Sequence, residues 1–170
     1  MSSGAYGSPR DMTQKIIPNL WFDDQAEEAA KFYVAVFGEG SKITMVTHYP
    51  ANSPGTEGNV MTVEFELRGE RLIAINGGPQ FPFTAAVSLM INCADQDEVD
   101  HFWDGLTEGG EEVQCGWLKD RYGLSWQVVP AGMDEAFANP DKGAAERAMQ
   151  AMLKMKKLDV AELRRAAAGE

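Results

Sequence analysis

Two segments of this chain follow one plan, and that repetition constrains the fold more than any other feature. Asp24-Gln25 precedes Phe32-Tyr33, as Asp95-Gln96 precedes Phe102-Trp103, and the aromatic pairs lie 70 positions apart. One residue of gap is needed at the helix start, and outside the helices the identity is thin. Convergence on a common helix pattern therefore stays open beside a true repeat. Self-similarity at a fixed period marks one structural unit used more than once.

The first copy reads β-α-β-β-β. Ile16 to Phe22 is an apolar run, with Pro18 suited to an edge or a bulge. Asp24 with Glu27 three positions on forms an Asp-x-x-Glu start for a helix. Ala29, Phe32, Tyr33, Val36 and Phe37 share one helical face, and Gly38 and Gly40 end it. Strands are expected at Lys42 to Tyr49, Val60 to Leu67 and Arg71 to Asn76. Between the first two lies a Pro- and Gly-rich loop, and between the last two a hairpin turn at Arg68-Gly69-Glu70. Glu64 and Glu66 alternate with apolar residues and read as a solvated strand face.

Gly77 to Pro82 is turn-rich, and after it the pattern restarts. Ala85 to Asn92 reads as a strand and Asp95 with Glu98 as a helix start. Val99, Phe102, Trp103 and Leu106 form the apolar helix face, and Gly109-Gly110 the stop. Short strands are expected at Glu111 to Cys115, Gly116 to Asp120 and Leu124 to Val129. The last two form a hairpin, in which Asp120 and Gly123 bracket a tight turn. Alternation sends Ser125, Gln127 and Val129 to one face, and Leu124, Trp126 and Val128 to the other. Beyond them, residues 132–137 suggest a short turn. Asp141 starts a helix with Ala145, Ala148, Met149, Met152 and Met155 on one stripe, and Asp159 with Glu162 starts another. Lys154, Lys156 and Lys157 fall where a helix C-terminus favours cations.

The fold class is thus α+β, built from tandem βαβββ modules with C-terminal helices. The boundaries are 1–12 (a disordered leader), 13–80 and 81–130 (the two modules), and 131–170. This last part is a helical tail that packs on the body or on a second subunit. A net charge of −11 opposes binding to nucleic acid or to anionic membranes, both of which need a basic surface. No apolar run approaches the ~20 residues of a membrane span. Met1 to Met12 lacks the apolar core of a signal peptide. Two cysteines, Cys93 and Cys115, make no disulfide framework. A cytoplasmic protein is expected.

The tandem βαβββ pattern comes with three local motifs: Phe32-Tyr33 leading to Val36-Phe37-Gly38, Asn76-Gly77-Gly78-Pro79, and Asp120-x-x-Gly123 leading to Trp126-Gln127. With these the chain resembles the vicinal oxygen chelate (glyoxalase/bleomycin resistance/dioxygenase) superfamily. Within it the chain is similar to the PhnB-like group, whose domain carries the label 3-demethylubiquinone-9 3-methyltransferase. The Met- and Lys-rich tail is also typical of that group. The resemblance implies paired modules forming a U-shaped half-barrel cavity, and a homodimer. It also implies where metal-dependent members place their ligands, at positions near Ile17, Asn76, Ala86 or Ser88, and Gln127. A catalytic metal wants about three ligands of His or carboxylate type, and these residues do not supply them. His48 and His101 read as surface residues. The expectation is no metal and no cofactor.

Candidate ligand-binding residues are Asn76, Ser88 and Gln127 as hydrogen-bonding groups, with Trp21, Phe83, Trp117 and Trp126 as apolar walls. The three polar groups could instead bond to neighbouring backbone, and the sequence leaves both readings open. Arg121 could hold an anionic ligand or pair with a carboxylate. Cys115 reads as a small packed residue. Two function classes follow. One is a small-molecule binding protein with an aromatic-lined cavity and no family-type metal site. The other is an enzyme (lyase, isomerase or oxygenase type) acting on a small oxygenated metabolite. Methyl transfer of the common kind is disfavoured. It needs a doubly wound parallel sheet with a Gly-rich loop after the first strand, and here Leu20-Trp21-Phe22 runs into Asp23-Asp24-Gln25.

Overall fold

The computed structural model describes residues 14–133 and 141–170. The expected leader lies outside them, as do residues 134–137 of the expected turn. The chain divides into two compact units, Met1–Gln80 and Phe81–Glu170.

In the first unit the strands are β1 (Asn19–Phe22), β2 (Lys42–His48), β3 (Val60–Leu67) and β4 (Glu70–Asn76), and the helix is α1 (Ala26–Phe37). The sheet order is β1-β4-β3-β2, with β1 parallel to β4 and the other pairs antiparallel. Alternation in β3 turns Val63, Phe65 and Leu67 into the core, where they join Leu72 and Ala74 of β4. The helix covers them with Ala26, Ala29, Ala30, Tyr33 and Phe37. The small alanines let the helix approach closely, and the Tyr33 ring stacks on Phe65 at 6.2 Å between centroids. Phe32 and Val36, expected on that face, sit at its half-buried margins. The edge strand β2 shifts register twice against β3, between Ile43 and Met45 and between Thr47 and His48.

The start of α1 departs from expectation. Asp24 does not cap it. The residue at the cap position is Gln25, which makes no side-chain cap bond. Instead Asn76, at the end of β4, accepts from the Ala26 amide at 2.8 Å. Glu64 also differs from the solvated residue expected, since its side chain is only 13% exposed and it pairs with Arg71.

The second unit repeats the topology. It contains β5 (Ser88–Cys93), α2 (Gln96–Thr107), β6 (Glu111–Glu112), β7 (Trp117–Lys119) and β8 (Ser125–Pro130), with order β5-β8-β7-β6 and β5 parallel to β8. Here the Asp95 cap forms as expected, accepting from the Glu98 amide. Val99, Phe102, Trp103 and Leu106 are buried. The strand expected over 111–115 stops at Glu112. Cys115 and Gly116 both adopt positive φ, at 60° and 80°, which breaks the extended run.

Among the described residues the tail forms α3 (Lys142–Met152) and α4 (Val160–Ala168), capped by Asp141 and Asp159. Ala144 and Ala148 of α3 are buried, while Met149 is exposed. The three lysines lie beyond the end of α3, and two of them pair with carboxylates of the body. Between the two helices, residues 155–158 run over the β6–β7 turn as a strap. Cys115 and Gly116 donate their amides to the carbonyls of Met155 and Lys156. Leu158 is wholly buried. Gln96 donates to the Leu158 carbonyl and accepts from the Val160 amide, serving the first turn of α4.

Lys156 and Lys157 tie the strap down by ion pairs, among them Lys157 with Asp104 at 3.4 Å. Lys157 sits 3.0 Å from Asp100, and Lys156 sits 3.6 Å from Glu112. The hydrogen bond from Gln96, and then Lys157, holds the Asp100 carboxyl below its ordinary 3.8. The Trp103 indole and, more weakly, Lys156 hold Glu112 below its ordinary 4.5. A carboxylate lowered in the folded state stabilises above its unfolded value and stops doing so as pH falls through the folded one. Stability should therefore fall progressively as pH drops below about 4.5, and Asp100→Asn with Glu112→Gln should flatten that fall. Urea midpoints measured from neutral to acid pH test this, and an unchanged acid slope in the double variant would refute it.

Candidate functional site

Each sheet has one face packed on its helix and one turned away from it. In the first unit Trp21, Thr62, Ile73 and Ile75 lie on the face away from α1, as strand alternation and register require. The Trp21 indole donates to the Gly78 carbonyl at 2.8 Å. Its ring lies so close to Gly77 that a Cβ there would stand 2.1 Å from it. The motif Asn76-Gly77-Gly78 is thereby explained one residue at a time. Asn76 holds the start of α1, Gly77 makes room for Trp21, and Gly78 turns the chain at φ +96°.

Asn76 uses both ends of its amide. While its oxygen accepts from Ala26, its nitrogen donates to the Val60 carbonyl at 3.1 Å. Its own carbonyl accepts from the Tyr49 hydroxyl. It also lines a cavity of about 770 Å³ within the first unit, walled by Asp23, Asp24, Glu27, Tyr49 and Gln80 among others.

In the second unit Gln127 and Ser88 come together. The Gln127 amide donates to the Ser88 hydroxyl at 2.9 Å across the parallel β5–β8 pair. Trp117 is the direct partner of Gln127 on β7, so the two share a face. Trp126 does not join them. It is buried on the opposite face, and its indole donates at 2.8 Å to Asp120. Arg121 turns to the end of α2, where its Nε donates to the Glu108 carbonyl and its guanidinium nears the Glu108 carboxylate at 3.5 Å. Phe83 is half-buried in the segment before β5.

Sequence reasoning passed over Asp120 as a turn former only. The residue is 3% exposed, and its carboxylate accepts from the Tyr122 and Leu124 amides as well as from Trp126. The spacing Asp-x-x-Gly-x-x-Trp contained that signal. An Asp four residues before a buried strand, with an indole two residues into it, can satisfy both backbone and ring. Glu64 and Arg71 were also missed, because an alternating strand looks the same whether its polar face is wet or shielded.

The ligand positions implied for a metal fit this chain poorly. Ile17 offers no donor atom. Asn76 is spent on backbone groups, and Gln127 and Ser88 bond to each other. Among the described residues no three His, Cys, Asp or Glu side chains are grouped to hold an ion. Both histidines are exposed, and both cysteines are free thiols.

A sequence model of the family described as 3-demethylubiquinone-9 3-methyltransferase matches residues 14–129. The chain belongs to that family. A solved member described as a putative 3-demethylubiquinone-9 3-methyltransferase, the PhnB protein of Bacillus cereus, is 35% identical. That alignment covers 69% of this chain and all of the other, with a TM-score of 0.63. A protein of Pseudomonas aeruginosa is similar at 21% identity, over 69% of this chain and 98% of its own, with a TM-score of 0.58. The fosfomycin resistance protein FosX of Listeria monocytogenes, solved with Mn(II) and sulfate, is similar in fold at 12% identity. It covers 74% of this chain and 96% of its own, with a TM-score of 0.51. These likenesses establish the vicinal oxygen chelate fold. No curated protein matches the chain. The family match ends before the tail. Among the described residues no helix is long and apolar enough to cross a membrane.

Proposed function

We propose that this member of the 3-demethylubiquinone-9 3-methyltransferase family binds a small organic molecule without a metal site of the superfamily type. One observation carries the reading. At the positions where metal-dependent relatives place ligands, the polar groups present are already committed: Asn76 to the start of α1 and Gln127 to Ser88. An amide also lacks the charge that would hold a divalent ion.

We assign ligand contact to Trp21 on the first sheet and to Ser88, Trp117 and Gln127 on the second. Phe83 adds apolar surface. Asn76 and Trp126 act by fixing the strands that carry these residues, and Arg121 by tying the β7–β8 turn to α2. A cytoplasmic homodimer is the assembly we propose. Methyl transfer, which the family name carries, fits this chain badly. Each sheet has a single parallel pair, and the loop after β1 is Asp23-Asp24-Gln25, without glycine.

Native mass spectrometry and elemental analysis of tag-free protein test the reading. The expected result is an organic molecule retained at one per subunit and no stoichiometric metal. One tightly held divalent ion per chain would overturn it in favour of a metal-dependent enzyme, and an empty monomer would overturn both the ligand and the dimer.

A further inference from the structure

We propose that Arg71, oriented by Glu64, is an anion-binding residue that selects organic acids with an apolar body. This rests on the ligand-binding reading above and adds the chemical class of the ligand. The pair lies on the face of the first sheet that is turned away from α1. The Arg71 Nε donates to a Glu64 carboxylate oxygen at 2.7 Å. The backbone amide and carbonyl of Arg71 are taken by the Gln14 side chain. The two terminal guanidinium nitrogens have no partner among the described residues. A guanidinium pinned through Nε keeps its outer edge free, and that edge matches a carboxylate with two parallel N–H donors.

Two observations separate this pair from an ordinary cross-strand ion pair. Lys42 and Glu66, on the same sheet, are 66% and 31% exposed at a separation of 3.3 Å. Arg71 and Glu64 are only 18% and 13% exposed. Taking both charges largely out of water is costly unless their remaining hydrogen-bonding capacity is used. The surroundings supply the second observation. Arg71, Ile73 and Ile75 follow one another on the same face of β4, and Trp21 is the partner of Ile75 on β1. At about 3.3 Å per residue the row from Ile75 to Arg71 spans about 13 Å. The β4 row is apolar up to Arg71, and the β3 row beside it is Thr62, Glu64 and Glu66, the last directly opposite Arg71 and itself paired with Lys42. An arylalkyl carboxylate such as phenylacetate has that polarity and fits within that row.

The test is calorimetric titration with phenylacetate and with phenylacetamide, its neutral isostere. Wild type is expected to bind the acid about tenfold or more tightly than the amide, since a tenfold preference needs only about 1.4 kcal/mol. Arg71→Met should abolish the preference while leaving amide binding in place. Arg71→Lys keeps the charge but not the fork, so it should lose most of the preference. It decides the matter if the methionine variant does not fold by circular dichroism. Equal binding of acid and amide by wild type, or a preference that survives both variants, would overturn the proposal and leave the ligand-binding reading standing. Binding of neither probe would overturn the proposal, while the ligand-binding reading still rests on what native mass spectrometry finds retained.

Discussion

The Asp120→Ala variant is expected to lose roughly 3 kcal/mol or more of stability, because one substitution strands three donors. The Asp120 carboxylate accepts from the amides of Tyr122 and Leu124 and from the indole of Trp126. Leu124 and Trp126 are themselves buried, at 3% and 2% exposure. Asp120→Asn retains one acceptor oxygen and should fall between the two. Urea unfolding followed by tryptophan fluorescence and by far-ultraviolet dichroism gives the comparison. If the alanine variant lies within about 0.5 kcal/mol of wild type, as an ordinary surface substitution does, the buried network has no structural role.

Leu158→Ala should cost about 2–5 kcal/mol, the range for deleting a large aliphatic side chain from a packed site. Leu158 fills the space that Gly116 leaves, for a Cβ on Gly116 would stand 2.9 Å from its Cδ1. The strap is otherwise held by two backbone hydrogen bonds, by the Gln96 amide on the Leu158 carbonyl, and by solvent-accessible ion pairs, which contribute little. Loss of Leu158 should therefore release residues 155–158 as well as lower the urea midpoint. Trypsin reports this directly, since Lys154, Lys156 and Lys157 lie within or beside the strap. Cleavage there at the wild-type rate, with an unchanged midpoint, would mean that the tail does not depend on this contact.

The parts of the fold that were legible in the sequence are those specified locally. Alternation in Val60 to Leu67 marked β3 to the residue. Asp95, Asp141 and Asp159 announced helix starts, because each cap bonds to an amide two or three positions on. The failures have the opposite character. Asp24 sits where a cap belongs, yet the work passes to Asn76, 50 positions after Ala26, and no local pattern encodes that. Residues 113–115 look extended until Cys115 and Gly116 turn left-handed to meet the strap. The candidate site was legible to the same degree. Ser88, Trp117 and Gln127 share a face, as strand alternation and a common register allow. Trp126 belongs to the other face, and its indole was already claimed by an aspartate six residues earlier.

The two sheets share a strand order but differ at their outer edges. β6 is two glutamates long, too short and too charged to recruit another strand. Its counterpart β2 has seven residues and presents a full row of backbone groups, broken by two register shifts and begun by a lysine. Brevity protects one module and irregularity protects the other against edge-to-edge growth of the sheet. At the β2 edge, resistance to strand addition therefore rests on its kinks, while β1 and β5 form the opposite edges of the two sheets. A substitution that straightened that strand would leave the buried residues of β3 and β4 in place and remove the guard on that edge.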